Sequence, residues 1–349
     1  MNVNVKAKFK HNLHHLFNKK NSFFVFLLFM VALVSFPSIS GVNGYFFANE
    51  THVMVETEAE LVNAIDAAPD EGYIIVISKN ITLEKSLEIP AGKRIMLIGN
   101  VFDICLIGAN TMDTIIVRDG GWLRIIGTMG ITHAKGDTGR GIYVERGGTC
   151  IIQSAIISGN TADLGGGVYN EGTFDLSAAE DPHGLIVNNT ATLGGGVYNT
   201  GTFTMLFGDV RDNNAADSGG GVYNVGTFDL RDGEICGNNA AGLGGGVYNE
   251  GTFNMKKNRY GSDGELTIKY GSICGNVAAK GGGMYNVGTF EMPHDTQISE
   301  NTALSSEGEN VFNEESAGVL PYLLVIVVAV TVVVSLIFIA QKNKNYHQR

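Results

Sequence analysis

One hexapeptide dominates this sequence: GGGVYN occurs four times, and a fifth copy reads GGGMYN. The copies begin at residues 165, 194, 219, 244 and 281, and each runs on into a Gly-Thr-Phe segment. The spacings of 29, 25, 25 and 37 residues indicate a 25-residue period with insertions of 4 and 12 residues. A period of this length is typical of a stacked repeat array, in which no single repeat can bury its own apolar side chains.

Each repeat contains three rows of short, strand-like segments. The first is Gly-Val-Tyr, and the second is Thr-Phe-x-[Leu/Met], which alternates apolar and polar positions like a half-buried strand. The third row ends in an Asn whose side-chain amide can bond to its equivalents along the stack. These rows predict an all-β parallel β-helix solenoid of about 9–10 coils, with equivalent residues roughly 4.8 Å apart. The asparagines of the third row are Asn160, Asn189, Asn213, Asn238, Asn276 and Asn301.

Other glycine-rich structures fit this pattern poorly. A phosphate-binding loop occurs once, between a strand and a helix, whereas the GGG triplet recurs with strand-like residues on both sides. A calcium-binding β-roll has a nine-residue period with Asp, and a leucine-rich repeat has an L-x-x-L-x-L frame, neither of which is present. We therefore expect the glycines to form corners of the solenoid.

The two ends of the chain differ from its acidic middle. Residues 1–44 and 319–349 hold eight of the 24 Lys and Arg and none of the 35 Asp and Glu, which leaves a net charge of −19 between them. Such a domain repels nucleic-acid phosphates, so we expect no nucleic-acid binding. Basic residues followed by the apolar run 22–36 predict a signal sequence or signal anchor within 1–44.

A second apolar run predicts the anchor. Residues 319–340 contain no charge, and as a helix they span roughly 33 Å, enough to cross a bilayer. The basic residues of the tail 341–349 place that tail in the cytoplasm and the repeats outside the cell membrane. A short stalk, 314–318, joins this helix to the repeat region 111–313.

The segment 45–110 is predicted to begin the solenoid. Thr57 and Glu60 form a capping-box pattern ahead of a short amphipathic helix over 58–68. Ile-rich strand-like runs follow at 73–78, 81–83, 87–89, 94–98 and 102–107. We interpret the helix as a cap, because an open end of stacked strands exposes apolar side chains and unpaired backbone groups.

The repeats also resemble a known family. The run SGNTADLGGGVYNEGTFDL at 158–176 resembles the right-handed parallel β-helix repeats of pectin-lyase-like proteins, in particular the polymorphic-outer-membrane-protein and adhesin-like surface proteins. The resemblance covers about 56–313 and implies the fold. It implies no single activity, since this fold hosts lyases, hydrolases and adhesins.

Three features are candidates for binding or chemistry. Asp175 and Asp229 lie two coils apart in the second row, roughly 9.6 Å, close to the carboxylate separation of inverting glycosidases, but their repeat position, occupied elsewhere by Thr204 and Asn254, favours a solvated polar face. The insertions 177–183 and 256–266 interrupt the period, and the second carries a basic and aromatic cluster. The aromatic residues of the first row predict an outward stripe for a sugar or a partner, or a purely structural stack. The candidate binding residues are Tyr169, Tyr198, Tyr223, Tyr248, Tyr285, Lys256, Lys257, Arg259 and Tyr260.

Covalent features complete the predictions. Cys236 and Cys274 share an Ile-Cys-Gly-Asn context on successive coils, so their Cα atoms should lie near 5 Å apart, within disulfide range. Cys105 and Cys150 occupy different rows on different coils, so we expect no disulfide between them. No His or Cys spacing indicates zinc, and we expect no cofactor. Glycosylation sequons occur at Asn49, Asn80 and Asn188.

Together these features favour a non-enzymatic, membrane-anchored, adhesin-like surface protein. Its expected partners are the membrane, reached through the C-terminal helix, and a glycan, another surface protein or a second copy of itself. A polysaccharide lyase or glycosidase of the same fold, and a structural surface-coat component, stay open as alternatives.

Overall fold

A computed structural model describes residues 52–99, 104–177, 184–256, 258–260, 267–269, 271–293 and 297–314, all within the unit Asn49–Arg349. These residues form a parallel β-solenoid of about nine turns, in which each strand pairs in parallel with its equivalent on the next turn. The predicted solenoid is therefore confirmed. The predicted signal sequence or anchor in 1–44 and the apolar segment 319–340 lie outside the described residues. Within the described ranges, no helix is long and apolar enough to cross a bilayer.

Four parallel sheets run along the stack, and we name each after a residue that recurs in it. The tyrosine sheet consists of Leu87–Ile89, Ile115–Val117, Ile142–Val144, Val168–Asn170, Val197–Asn199, Val222–Asn224, Val247–Asn249, Met284–Asn286 and Val311–Asn313. The phenylalanine sheet consists of His52–Val55, Tyr73–Ile77, Arg94–Gly99, Trp122–Ile126, Thr149–Ile152, Thr173–Leu176, Thr202–Met205, Thr227–Leu230, Thr252–Met255 and Thr289–Glu291.

The other two sheets follow these in each turn. The isoleucine sheet consists of Ile81–Thr82, Cys105–Gly108, Gly130–His133, Ile156–Ser158, Leu185–Val187, Asp209–Arg211, Glu234–Cys236, Ser272–Cys274 and Gln297–Ser299. The alanine sheet consists of Thr161–Leu164, Thr190–Leu193, Asn214–Ser218, Asn239–Ala240, Val277–Ala278 and Thr302–Ala303.

The alanine sheet differs from the prediction of three strand rows. The three predicted rows did not include these Ala-containing segments, yet they pair as strands across six turns. Their alanines, such as Ala215 and Ala240, point inward and are buried. Small side chains over two to five residues carry little of the β-branched and aromatic signal by which strands are recognised in a sequence.

Apolar side chains stacked along the axis fill the interior. Val168, Val197, Val222 and Val247 are in register and fully buried, as the first-row pattern predicts. Phe174, Phe203, Phe228 and Phe253 form an internal column with ring centroids 4.7–5.0 Å apart. This column runs the length of the GGGVYN array, so removing one ring disturbs its neighbours on both adjacent turns.

Two ladders of buried asparagines run along the stack. In the predicted ladder, Asn213 Nδ2 donates to Asn238 Oδ1 at 3.0 Å, and this contact repeats along the third row. A second ladder, which the sequence pattern did not reveal, is formed by the Asn of GGGVYN, where Asn199 Nδ2 donates to Asn224 Oδ1 at 2.8 Å. Both ladders bury amides whose hydrogen bonds run from turn to turn.

In the described part of the chain, a short helix precedes the first full turn. It spans Glu58–Ala67, and the Thr57 hydroxyl accepts a hydrogen bond from the Glu60 amide. The Glu60 carboxylate accepts one from the Glu56 amide at 2.8 Å, so the capping box closes one residue earlier than Thr57. Its apolar face, including Leu61 and Ile65, belongs to the same buried cluster as the solenoid interior.

The second insertion contains structure that the period break did not predict. Asn258–Tyr260 and Thr267–Lys269 pair as an antiparallel hairpin between the phenylalanine and isoleucine strands of one turn. The remainder of both insertions, at 178–183, 257, 261–266 and 270, lies outside the described residues.

Candidate functional site

The GGG triplets contain no room for a ligand. Each amide in the run 219–222 donates to a carbonyl of the following turn, with N···O distances between 2.9 and 3.1 Å. A Cβ on Gly220 would lie 2.3 Å from the Gly245 carbonyl oxygen, which leaves no space for a side chain or a bound phosphate. The triplet is a corner where two turns approach closely, as predicted from its repetition.

Six tyrosines lie on the outer face of the tyrosine sheet, in register along the stack, and we call them the tyrosine stripe. They are Tyr143, Tyr169, Tyr198, Tyr223, Tyr248 and Tyr285. Their rings stack on one another, with centroids between 4.6 and 5.6 Å apart from Tyr143 through Tyr285. Three of the five pairs are nearly parallel, with interplanar angles of 10–13°, whereas Tyr169 and Tyr198 meet edge to face at 67°. Where the rings stack in parallel, their faces cover one another, and mainly their edges and hydroxyl groups are presented outward. A sugar stacks on an aromatic face, and this geometry favours the structural interpretation of the stripe.

Carboxylates at the adjoining corner accept the tyrosine hydroxyl groups. Tyr143 donates to Glu171 at 2.7 Å, and Tyr223 donates to Glu250 at 2.8 Å. Burial and these carboxylates raise the pKa of both phenols well above the usual value. The hydroxyl groups therefore stay protonated and donate hydrogen bonds along the edge of the stripe. The role of the stripe in binding stays a prediction.

A row of polar side chains lies on the outer face of the phenylalanine sheet, and we call it the polar row; its members Asp229 and Asn254 are more than nine-tenths buried. It consists of Asp175, Thr204, Asp229 and Asn254, which are in register on four successive turns, together with the flanking Arg231 and Lys256. Both insertions leave the stack at the same edge of this sheet, after Leu176 and after Met255. The polar row therefore lies next to the two points where the insertions depart from the period, and binding residues are often found on such connecting segments.

Asp229 is the most strongly held member of the polar row. Its carboxylate accepts hydrogen bonds from Lys256 Nζ at 2.7 Å and from Asn254 Nδ2 at 2.8 Å, and Arg231 Nη2 lies 3.5 Å away. Burial alone would raise the pKa of Asp229, but the hydrogen bonds from Lys256 and Asn254 outweigh it and hold the pKa below the usual value. This carboxylate is ionised at neutral pH.

Asp175, two turns away, has the opposite character. Burial raises its pKa, and the Thr204 hydroxyl and the charge of Arg231 only partly offset the effect. The polar row thus holds two carboxylates whose environments move their pKa values apart, an arrangement that separates acid and base roles in enzymes. Structural ion-pair networks produce such shifts as well, so the pattern identifies a candidate site and no specific reaction.

These shifts predict opposite effects of two substitutions on stability. Lys256→Met should lower the free energy of unfolding at pH 7 by no more than about 1 kcal/mol, because the pair is partly exposed. The difference should shrink as pH falls below about 4, since the stability linked to a lowered Asp pKa is present above the unfolded value near 4 and is lost as pH falls through the folded value. Asp175→Asn should raise the stability at pH 7, because its raised pKa penalises the folded state above pH 4, and should have no effect at pH 3.

Denaturant unfolding of the full-length chain at both pH values measures these differences, and carboxyl shifts of ¹³C-labelled Asp follow each titration directly. Equal signs for the two variants at pH 7 would contradict the assigned environments.

The remaining candidate residues are distributed over the stack. Lys256 belongs to the polar row, Arg259 and Tyr260 lie in the hairpin, and Lys257 and Asn49 lie outside the described residues. The structure pairs Cys236 and Cys274 as a disulfide between adjacent turns, with Cα atoms 4.6 Å apart, and whether that bond forms in the cell stays a prediction. Glu234 lies within 4.8 Å of both sulfur atoms, but a disulfide offers no thiolate to a metal.

The sequons that the structure describes differ in their setting. Asn188 is exposed at a corner with φ of 56°, whereas Asn80 accepts a hydrogen bond from the Cys105 amide at 2.9 Å.

Cys150 lies in the interior, where burial raises the pKa of its thiol. A buried, protonated thiol of this kind is a packing residue.

Comparison of the chain with protein-family models, with curated proteins and with solved structures finds no match.

Proposed function

We propose that this chain is a single-pass, membrane-anchored, adhesin-like surface protein whose solenoid binds an extended glycan along the polar row without cleaving it. The observation that supports this most is the register of the row: four polar side chains repeat from turn to turn between the two insertions. A linear polymer of sugars presents hydroxyl groups at regular intervals, and a row of carboxylate, hydroxyl and amide groups suits such a ligand.

The anchored topology and the cap are proposals that rest on the sequence. The uncharged run 319–340 supports the membrane helix, and the basic residues near the N-terminus support export. The resemblance to pectin-lyase-like and polymorphic-outer-membrane-protein repeats supports display at a cell surface. We assign the helix Glu58–Ala67 the role of covering the first turn, because its apolar face is buried with the solenoid interior.

A glycan array with the purified full-length chain tests the binding proposal. We expect binding to polysaccharides that falls about tenfold or more in Asp229→Asn, because hydrogen bonds to a charged group contribute roughly 1.5–3 kcal/mol. Glu234→Gln is the matched control, since it makes the same charge change at an exposed position later in the same turn. The control should bind like the wild type. Undiminished binding by Asp229→Asn would move the site elsewhere, and an empty array would overturn the glycan proposal.

The second candidate is a glycosidase of the same fold, favoured by the opposite pKa shifts of Asp175 and Asp229. In that reaction Asp175 would protonate the leaving oxygen while Asp229 activates water, at a separation estimated as roughly 9.6 Å from two strand steps. Release of reducing ends from the bound polysaccharides, abolished in Asp175→Asn, would establish hydrolysis and replace the non-catalytic proposal.

A further inference from the structure

A cleft lies at the beginning of the repeat array, beside the edge of the alanine sheet. Its volume is about 490 Å³, within the range of roughly 300–1,000 Å³ that small-molecule sites occupy. Among the residues that the structure describes, the alanine sheet begins at strand Thr161–Leu164, and on this side the strand forms an isolated bridge between Thr161 and Gly139. The cleft therefore occupies the place where the alanine strand of the preceding turn would lie. Its polar lining is Thr111, Asp113, Thr138, Arg140, Thr161 and Asp163.

The wall of the cleft is held in place by consecutive backbone contacts. The Thr138 amide donates to the Asn110 carbonyl at 2.8 Å, and the Gly139 amide donates to the Thr161 carbonyl at 2.6 Å. The amide and Nε of Arg140 both donate to the Asp113 carboxylate, at 3.0 and 2.9 Å. A site formed in advance of binding loses less entropy when a ligand is fixed in it.

The charges in the cleft limit what it can take. The guanidinium of Arg140 is paired with Asp113 and lies over the rings of Tyr143 and Tyr169, 4.5 and 4.9 Å from their centroids. Asp163 then adds an exposed negative charge, which disfavours an anionic ligand. Among the described residues, a grouping of three metal-binding side chains occurs at the disulfide and not in the cleft.

The remaining groups are those that recognise sugars. Three threonine hydroxyl groups both donate and accept hydrogen bonds, and the Asp163 carboxylate accepts. Strand Thr161–Leu164 is the first of its sheet, and beyond the bridge from Thr161 to Gly139 its edge offers backbone polar groups. We propose that this cleft binds a single neutral pyranose residue, as a second sugar site separate from the polar row. The inference deepens the proposed glycan binding and rests on it for its biological meaning, but not for its chemistry.

Saturation-transfer NMR with methyl glucoside, methyl mannoside and methyl galactoside tests the proposal on the full-length chain. We expect transfer from at least one of these sugars. The double variant Thr138→Val and Thr161→Val should weaken its binding by tenfold or more, because valine keeps the shape of threonine and removes the hydroxyl hydrogen bonds. Thr192→Val is the matched control: it lies exposed on the next strand of the alanine sheet, outside the cleft lining, and should bind the sugar like the wild type.

Three outcomes would overturn this assignment: no transfer from any of the sugars, equal transfer in the double variant, or stronger binding of methyl glucuronide than of the neutral sugars. Equal thermal unfolding of the double variant and the wild type shows that the fold is intact. Asp229→Asn separates this proposal from the polar-row proposal. If that variant abolishes polysaccharide binding but leaves the simple sugar bound, both stand. If array binding is absent while the simple sugar binds, the polar-row proposal fails alone.

Discussion

Replacing Gly220 with alanine is expected to unfold the turns around it, with a loss of about 3 kcal/mol or more in the free energy of unfolding. The new Cβ would lie 2.3 Å from the Gly245 oxygen and 2.5 Å from the Asn239 oxygen, and both contacts are with backbone of the next turn. Neither carbonyl can rotate away as a side chain would. The turns must separate, which breaks the hydrogen bonds from Gly220 and Gly221 to Gly244 and Gly245.

Gly275→Ala provides the control for this prediction. Gly275 has φ of 60°, but nothing closer than 3.9 Å would meet its Cβ. Its substitution therefore costs only the left-handed backbone conformation, about 1–2 kcal/mol. Thermal unfolding and amide exchange in the segment 219–249 measure both variants. A Gly220→Ala loss no larger than that of Gly275→Ala would show that the close approach of the turns can relax.

The same contacts explain why the fold was predictable from the sequence. No residue larger than glycine fits where the next turn approaches the triplet. The repetition of the triplet in the sequence therefore marks the successive turns of the stack. The Phe and Val rows were equally visible because a core column needs an apolar residue in register on every turn. Their alternation with polar positions such as Thr204 marks the inner face.

The parts that the sequence left undetermined lack such a constraint. The alanine sheet was missed because inward alanines such as Ala215 fill little space and give no strong periodic signal. The ladder of the GGGVYN asparagines was missed although Asn199 follows an outward tyrosine and so occupies an inward position, because Asn is typical of turns and its partner Asn224 lies on the next turn.

The candidate sites depend even more on three-dimensional contacts. The sequence showed Asp175 and Asp229 as acids in an outward row. The contact between Asp229 and Lys256 joins different turns and lowers the pKa of Asp229, whereas burial raises the pKa of Asp175. The cleft was not predicted at all. It forms where the alanine sheet ends, and Thr111, Thr138 and Thr161 meet there from three successive turns without any shared motif.

Replacing Asn213 with alanine is expected to lower the free energy of unfolding by about 2–4 kcal/mol. Asn213 Oδ1 accepts from the Asn189 amide at 2.9 Å and from Asn189 Nδ2 at 3.1 Å. Its Nδ2 donates to the Ile186 carbonyl at 2.9 Å and to Asn238 Oδ1 at 3.0 Å. Alanine removes the side-chain partner of the Asn189 amide and of the Ile186 carbonyl, whereas Asn189 Nδ2 keeps the Ile157 carbonyl and Asn238 Oδ1 keeps the Asn213 amide. Each unsatisfied buried group costs about 1–3 kcal/mol, partly relieved by any water that enters.

The neighbouring Asn214→Ala is the matched control, because that residue points outward and makes one exposed side-chain bond, from Asn239 Nδ2 at 2.8 Å. Its loss should cost under about 0.5 kcal/mol. Hydrogen exchange of the Asn189 amide gives a local measure, since this amide donates to the side chain that Asn213→Ala removes. Faster exchange there in Asn213→Ala, with little change in Asn214→Ala, is the expected result. Equal stability of the two variants would mean that the ladder contributes no more than the polar surface, and that the apolar columns alone hold adjacent turns in register.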